Sequence, residues 1–253
     1  MIEGIFYIEA QGNNEKLVRK SLESLVDKLR KEEKIEVRRE SFGEVVREDG
    51  NFSSMVEVEL EFQDFLSYVM AAIHYGPSAI EISGPAELIL SPDEFLEALG
   101  EIIRISKTLY QKYNVGFRFL NEGKAEVGLE EEEIEDLLDQ GAIRAKIVVE
   151  GKEKSRKKAI DNFLKAISED VFISKLKSKK VESETPFSGL IGIEAFMYEA
   201  RTLIDIAIKH TPVLIEILEP EEIRLSMLNL QDIGVDLAGV FFDLAHAVAR
   251  PTS

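Results

Sequence analysis

Ala72-Ile73-His74-Tyr75-Gly76-Pro77-Ser78-Ala79-Ile80-Glu81-Ile82-Ser83-Gly84-Pro85-Ala86-Glu87-Leu88-Ile89-Leu90-Ser91 returns 135 residues later, without a gap, as Ala207 through Ser226. Ten of the 20 positions are identical, including Pro77/Pro212, Ile80-Glu81-Ile82/Ile215-Glu216-Ile217, Pro85/Pro220 and Ser91/Ser226. The stretch reads as helix end, strand, break and helix start. Gly76 suits the left-handed position after a helix, and Pro77 cannot continue one. Ile80-Glu81-Ile82 alternates as a half-buried strand. Ser91-Pro92-Asp93-Glu94 is a helix start, with a Ser cap, Pro in the first turn and Glu three residues after the cap. The second copy keeps the prolines and Ser226 but has Thr211 for Gly76 and Met227 for Pro92.

Working back from the first copy, Ile5–Ala10 reads as a strand, and Leu17, Leu22, Leu25, Val26 and Leu29 mark one face of a helix. Lys34–Glu40 alternates as a second strand. Gly43–Ser54 reads as a polar hairpin loop with Asp49-Gly50 at its tip. Met55–Phe62 is the cleanest alternating strand. Asp64 caps a helix carrying Phe65, Leu66, Val69, Met70 and Ile73. The repeat strand follows, then a helix from Pro92 to about Tyr113.

The order β-α-β-β-α-β is that of the ferredoxin-like plan, with sheet order fourth-first-third-second, helices on one face and the other face open. Residues after 141 repeat the pattern. Ile147–Val149 is its first strand, with Gly151 matched to Gly12. A helix carries Ile160, Phe163, Leu164 and Ile167, and Val171–Lys177 is the second strand. Pro186–Gly189 falls in a hairpin loop, and Leu190–Ala195 is the third strand, with Glu194 at the place of Glu59. A helix over Met197–His210 precedes the repeat strand. The expected fold is α+β: a tandem duplication of a ferredoxin-like unit, each copy followed by an extra C-terminal helix. Residues 1–113 form the first repeat and 142–253 the second. Residues 114–141 form a linker, with a hairpin around Asn121-Glu122-Gly123 and an acidic helix over Glu130–Asp139.

The chain has 253 residues, room for two cores. It has no cysteine, so no disulfide framework, thiolate metal site or Cys nucleophile. No basic apolar leader opens it and no run approaches a membrane span, so the expectation is a cytoplasmic protein with no membrane contact. The composition, rich in Glu, Lys and Ile and free of Cys and Trp, leans toward a thermophile. A net charge of −17 disfavours nucleic acid. That charge is unevenly spread: residues 144–180 hold 12 Lys/Arg against five acids, a window of +7 that leaves −24 for the rest.

Lys152, Lys154, Arg156, Lys157, Lys158, Lys175, Lys177 and Lys179 in that window are candidates for contact with an anion, RNA or a partner. Lysines on an edge strand also serve simply to block strand pairing. Gly12 and Gly151, after the first strand of each repeat, are candidate ligand-loop glycines or ordinary turn glycines. Glu9, Glu57, Glu59, Glu61 and Glu81 alternate onto the open sheet face. Glu9, Glu59 and Glu81 could in principle collect a hard cation, though a solvated sheet surface is the simpler reading. Tyr7 and Phe196 are candidates for apolar contact there. One of the two charged surfaces is expected to pack against the other repeat or a second subunit.

No dinucleotide fingerprint, P-loop or nucleophile elbow occurs, and no two histidines have metal-ligand spacing. Leu66–Pro85, with its helix, Tyr-Gly-Pro break, Ile-Glu-Ile strand and closing Pro, resembles the C-terminal extension of WYL-domain regulators. The element order and the glycine after the first strand are similar to ACT-type domains. Both likenesses imply a ligand-sensing or interaction module. The expected function is therefore a non-catalytic binding or regulatory protein, without cofactor, acting through protein partners, a homo-oligomer or a small ligand. Two alternatives stand beside it: anion or RNA binding through residues 144–180, and a metal-dependent enzyme built on the open-face carboxylates.

Overall fold

A computed structural model describes residues 1–113, 125–167, 170–181 and 187–247. Among these residues the fold is α+β, with antiparallel sheets. The elements run β1 (Ile2–Gly12), α1 (Glu15–Leu29), β2 (Ile35–Phe42), β3 (Val46–Glu48), β4 (Asn51–Phe62), α2 (Phe65–Tyr75), β5 (Ala79–Gly84), β6 (Glu87–Leu90) and α3 (Pro92–Tyr113). They continue as α4 (Glu131–Asp139), β7 (Ile143–Glu153), α5 (Arg156–Ala166), β8 (Phe172–Lys180), β9 (Phe187–Met197), α6 (Ala200–His210), β10 (Leu214–Glu219), β11 (Ile223–Ser226) and α7 (Met227–Ala247).

Two sheets carry the fold. One has the order β2-β4-β1-β5, with β3 paired to β4, and the other the order β10-β7-β9-β8. Counted without the short β3, the first runs second-third-first-fourth and the second fourth-first-third-second. These are the same order read from opposite edges. The Asp49-Gly50 tip is where the sequence puts it, both residues at positive φ, but the strands reach further in than a loop over 43–54 allows. β4 already begins at Asn51, because Val46–Glu48 pairs with Asn51–Ser53. Likewise Phe187, Ser188 and Gly189 are not loop but the first residues of β9, paired with Glu153, Lys152 and Gly151. The hairpin expected around Asn121 lies outside the described residues.

The chain divides into two compact units that cut across the sequence repeats. Unit 1 is Met1–Ile89 with Arg224–Ser253, and unit 2 is Leu90–Ile223. The helix that follows each repeat belongs to the other repeat's unit. In unit 1, α7 packs on α2 and β5; in unit 2, α3 packs on α6 and β10. The chain passes from one unit to the other within β6 and again within β11, and these two strands pair as a ribbon.

Each added helix starts on the cap the sequence announces. At the start of α3 the Ser91 backbone N–H and hydroxyl donate to the Glu94 carboxylate, and the Glu94 backbone N–H donates to Ser91 Oγ. At α7 the lost Pro and Glu are replaced by Asn229, which accepts from the Ser226 backbone N–H and hydroxyl while its own N–H donates to Ser226 Oγ.

The core of unit 1 is aromatic: Phe6, Phe62, Phe65 and Tyr68 are buried and in ring contact. Tyr68 reaches α7, donating its hydroxyl to the Leu230 carbonyl at 2.6 Å. Gly234 lets α7 lie this close, since an added Cβ would sit 2.1 Å from the Tyr68 oxygen and 2.6 Å from Ile80 Cδ1. Unit 2 has a matching tie: Tyr110 of α3 donates to the Ile208 carbonyl of α6 at 2.7 Å. On α1 the buried face is Val18, Leu22, Val26 and Leu29, with Leu17 exposed.

Within the segment expected as linker, the described residues 125–141 pack within unit 2. Leu137 of α4 is buried with Ala142 and Phe196, and Leu129, Ile134 and Leu138 pack around them. Val127 bridges to Ile173 in parallel beside β8.

Candidate functional site

The strand registers show what each sheet presents on the side away from its two covering helices. In β1, Ile2, Gly4, Phe6 and Ile8 are buried, so Glu3, Ile5, Tyr7 and Glu9 point to the other side. Ile5 stands opposite Glu59 on β4 and Glu81 on β5, and Tyr7 opposite Glu57 and Ala79. Burial, then a hydrogen bond to Glu81, push the Tyr7 hydroxyl above its ordinary pKa, with Glu57 adding to the effect. Arg38 pairs with Glu61 and Glu36.

Glu59 and Glu81 therefore flank Ile5 from the strands on either side, two strand spacings or about 10 Å apart, and Glu9 is not beside either. It lies opposite Met55, four residues along β1 from Ile5 and so roughly 13 Å away. A metal site made of Glu9, Glu59 and Glu81 fails on that distance, and no group of three or more His, Cys, Asp or Glu suited to a metal occurs among the described residues.

Unit 2 has carboxylates at the same crossings but neutralises them. Lys146 stands opposite both Glu194 and Glu216. Its Nζ is 3.0 Å from Glu216. Arg144 donates Nε to Glu194 at 2.9 Å and Nη1 to Glu219 at 3.0 Å, and lies over the Phe196 ring. Lys175 adds a contact to Glu194 at 3.4 Å. Burial raises the Glu194 carboxyl, but Arg144 and Lys175 outweigh it and hold the group below the usual carboxylate range. This Arg144-centred cluster is invisible to a reading that looks for like charges in runs. Its only signal is the alternation of Arg144 and Lys146 on β7. Phe196 is fully buried under α4 and supplies no exposed apolar contact.

The basic window does not form one surface. Lys175, Lys177 and Lys179 stand opposite Glu194, Gly192 and Leu190 on β9, away from the helices and on the edge strand β8. Arg156 and Lys158 belong to α5, where Arg156 is tied to Ser178 and Lys158 faces Glu153 at 3.5 Å. Lys154 and Lys157 are exposed near the start of that helix. Phe163 is buried, and Phe172 on β8 is exposed but set edge-on against Tyr198, so among the described residues the window has a single exposed ring and no interleaved aromatic platform.

Lys152 and Gly151 do meet at a cavity. It has a volume of about 420 Å³ and lies in unit 2 between the end of β7, one side of α5 and the end of α6. That is within the ~300–1,000 Å³ usual for small-ligand sites. Val149, Ala159, Phe163, Ala166 and Ile191 give it apolar walls, and Lys152, Glu153, Asn162, Lys165 and His210 give it polar groups. Glu153 is engaged by Asn162 at 2.7 Å. The His210 ring meets Phe163 edge-on at 5.5 Å. Burial lowers its pKa to about 4 against an opposing hydrogen bond to the Ala166 backbone, so the imidazole is neutral at pH 7.

Gly151 and Gly12 are not equivalent. Gly151 pairs with Gly189 and Gly12 with Phe52. Taken through their partners on β4 and β9, which keep the offset of 135, Gly151 stands at the place of Ala10 and Gly12 at that of Glu153. Gly12 does not line the Gly151 cavity.

Fold and sites together define an α+β protein with a ligand-sized cavity and no recognisable catalytic constellation among the described residues. Residues 3–251 match the MJ0538 family, and the chain belongs to that family. A Methanocaldococcus jannaschii relative, "Uncharacterized protein MJ0538", is 31% identical over 253 residues, spanning 95% of each chain. No solved structure matches. No described helix is long and apolar enough to cross a membrane.

Proposed function

We propose that the chain is a non-catalytic binding protein, a tandem duplication of a ferredoxin-like unit that has exchanged its trailing helices and takes a small ligand in the Gly151 cavity. The shared strand order of the two sheets and the matched prolines support the duplication. The observation that carries the ligand reading is the coincidence of the cavity with Gly151, which lies within the last residues of β7 and not, as the sequence suggests, after that strand. Its apolar walls and few convergent polar groups suit a small organic molecule. Fold analogy adds nothing here, since this plan hosts many functions.

The test is ligand-observed NMR of the whole protein against a library of small metabolites, repeated on Gly151→Val. An added Cβ would meet Ile191 Cδ1 at 3.0 Å and Ala159 Cβ at 3.5 Å, so the larger side chain narrows the cavity. Hits lost in the variant while its melting temperature stays close to that of the parent support the reading. An unchanged set of hits, or no hits with either protein, sinks it.

A further inference from the structure

Unit 1 holds a second cavity, of about 810 Å³, where β1 ends. Its walls come from Glu9 and Gln11 of β1, Ser53 of β4, the Gly76-Pro77-Ser78 turn after α2, and one side of α7. The sequence accounts for the space. Gly76 is left-handed at φ 52°, which turns the chain away from α2, and an added Cβ there would touch nothing within 4 Å. On α7 the lining residues Ala238 and Gly239 are small, and Gly239 too faces open space. Ser78 is held in place by its N–H donating to the Tyr7 carbonyl at 2.8 Å.

The chemistry of this cavity is one-sided. Among the described residues its charged groups are Glu9 and Asp243, and no Lys, Arg or His lines it. Gln11, Ser53 and Ser78 add neutral oxygen acceptors. Phe242, beside Asp243, lines the cavity with a ring that is 55% exposed. An anion would be repelled by both carboxylates. A purely apolar ligand would strip their water and return no hydrogen bond. A cation bearing N–H groups answers both carboxylates with charge-assisted hydrogen bonds, and its charge can lie against the face of the phenyl ring.

We propose that this cavity binds a small organic cation, an alkylammonium carried on a short aliphatic chain. It is a different site from the Gly151 cavity, and neither proposal depends on the other. A free amine and a lysine side chain of a partner protein present the same chemistry.

Calorimetric titration of the whole protein with putrescine, butylamine and butyrate at constant ionic strength tests the proposal. Putrescine and butylamine should bind and butyrate should not. Glu9→Gln and Asp243→Asn should each weaken putrescine binding roughly tenfold. Phe242→Leu should weaken it by about three-fold. Gly239→Leu fills the cavity without altering charge and should abolish binding while the protein stays folded. A chain of net charge −17 attracts any cation loosely, so Glu132→Gln with Glu135→Gln, exposed on α4, serves as a control and should leave binding unchanged. N-acetyl-lysine methylamide separates the sources. Binding about tenfold tighter than putrescine assigns the site to a protein lysine, and weaker binding assigns it to a free amine. Equal binding by parent and Glu9→Gln/Asp243→Asn, equal loss in the α4 control, or no amine binding at about 10 mM overturns the proposal.

Discussion

Lys146 and Glu216 meet across β7 and β10 with Nζ 3.0 Å from the carboxylate, whereas the same crossing in unit 1 sets Ile5 against Glu81. One strand position thus decides whether the glutamate on the fourth strand of the sheet is neutralised. Lys146→Ile should therefore leave Glu216 unpaired, as Glu81 is set against Ile5 in unit 1, while Arg144 and Lys175 still hold Glu194. The Lys146–Glu216 pair is about half exposed on both sides, so its loss should cost only ~0–1 kcal/mol, by urea denaturation, and less as salt rises.

Glu194→Gln should cost more. Glu194 is 11% exposed and holds Arg144 and Lys175, and hydrogen bonds to charged groups are worth about 1.5–3 kcal/mol. The folded pKa of Glu194 is depressed, so its contribution is complete above the ordinary carboxylate range and is lost as pH falls through the folded value. Urea midpoints of parent and variant should converge only once pH has fallen below that depressed folded value. A gap that persists there contradicts the assignment.

His210 gives a separate and higher window. Its pKa falls from 6.5 to about 4 on folding. The unfolded chain therefore binds the extra proton first, and stability is present above about 6.5 and declines as pH drops toward 4. His210→Asn should flatten the slope of unfolding free energy between those two pH values. An equal slope in parent and variant would falsify the neutral, buried imidazole.

Tyr68→Phe removes the hydroxyl that satisfies the buried Leu230 carbonyl and should cost about 1–3 kcal/mol. Gly234→Ala should cost at least as much, because the new Cβ would lie 2.1 Å from that hydroxyl and must push α7 away from α2. Thermal unfolding of the two variants tests both values.

Deleting residues 227–253 should unfold unit 1 and spare unit 2. The deletion removes the buried Leu230, Ile233, Leu237 and Phe241 of α7 from unit 1. Hydrogen exchange should show protection lost in β1, β4 and β5 and retained in β7 and β9. Uniform protection in both sheets would show that α7 is dispensable.

Much of this was legible in the residues. The Ser91 cap, the Asp49-Gly50 tip and the Ile-Glu-Ile strands are local signals, written within a few neighbouring positions, and the alternation of β1 and β4 fixed which side Ile5, Tyr7 and Glu59 occupy. That α3 belongs to unit 2 and α7 to unit 1 was not legible. An amphipathic pattern says which face of α3 or α7 is buried but not against which sheet. The pairing of Gly12 with Gly151 failed for a related reason: alternation fixes a strand's faces, and a slip of two residues leaves those faces unchanged. The Gly151 cavity was half legible. The glycine marked the place, but Phe163 and His210 arrive from separate helices.

The membership of α7 in unit 1 also imposes an order of assembly. Unit 2 is one uninterrupted run from Leu90 to Ile223, lodged inside the sequence of unit 1. As the chain leaves the ribosome, β1 to β5 emerge first but lack the helix that closes over Tyr68 and Ile80. That helix is made only after all of unit 2, so the half begun first is finished second. Cutting the gene between its two sequence repeats would yield no whole unit, since each half would carry away the helix the other requires.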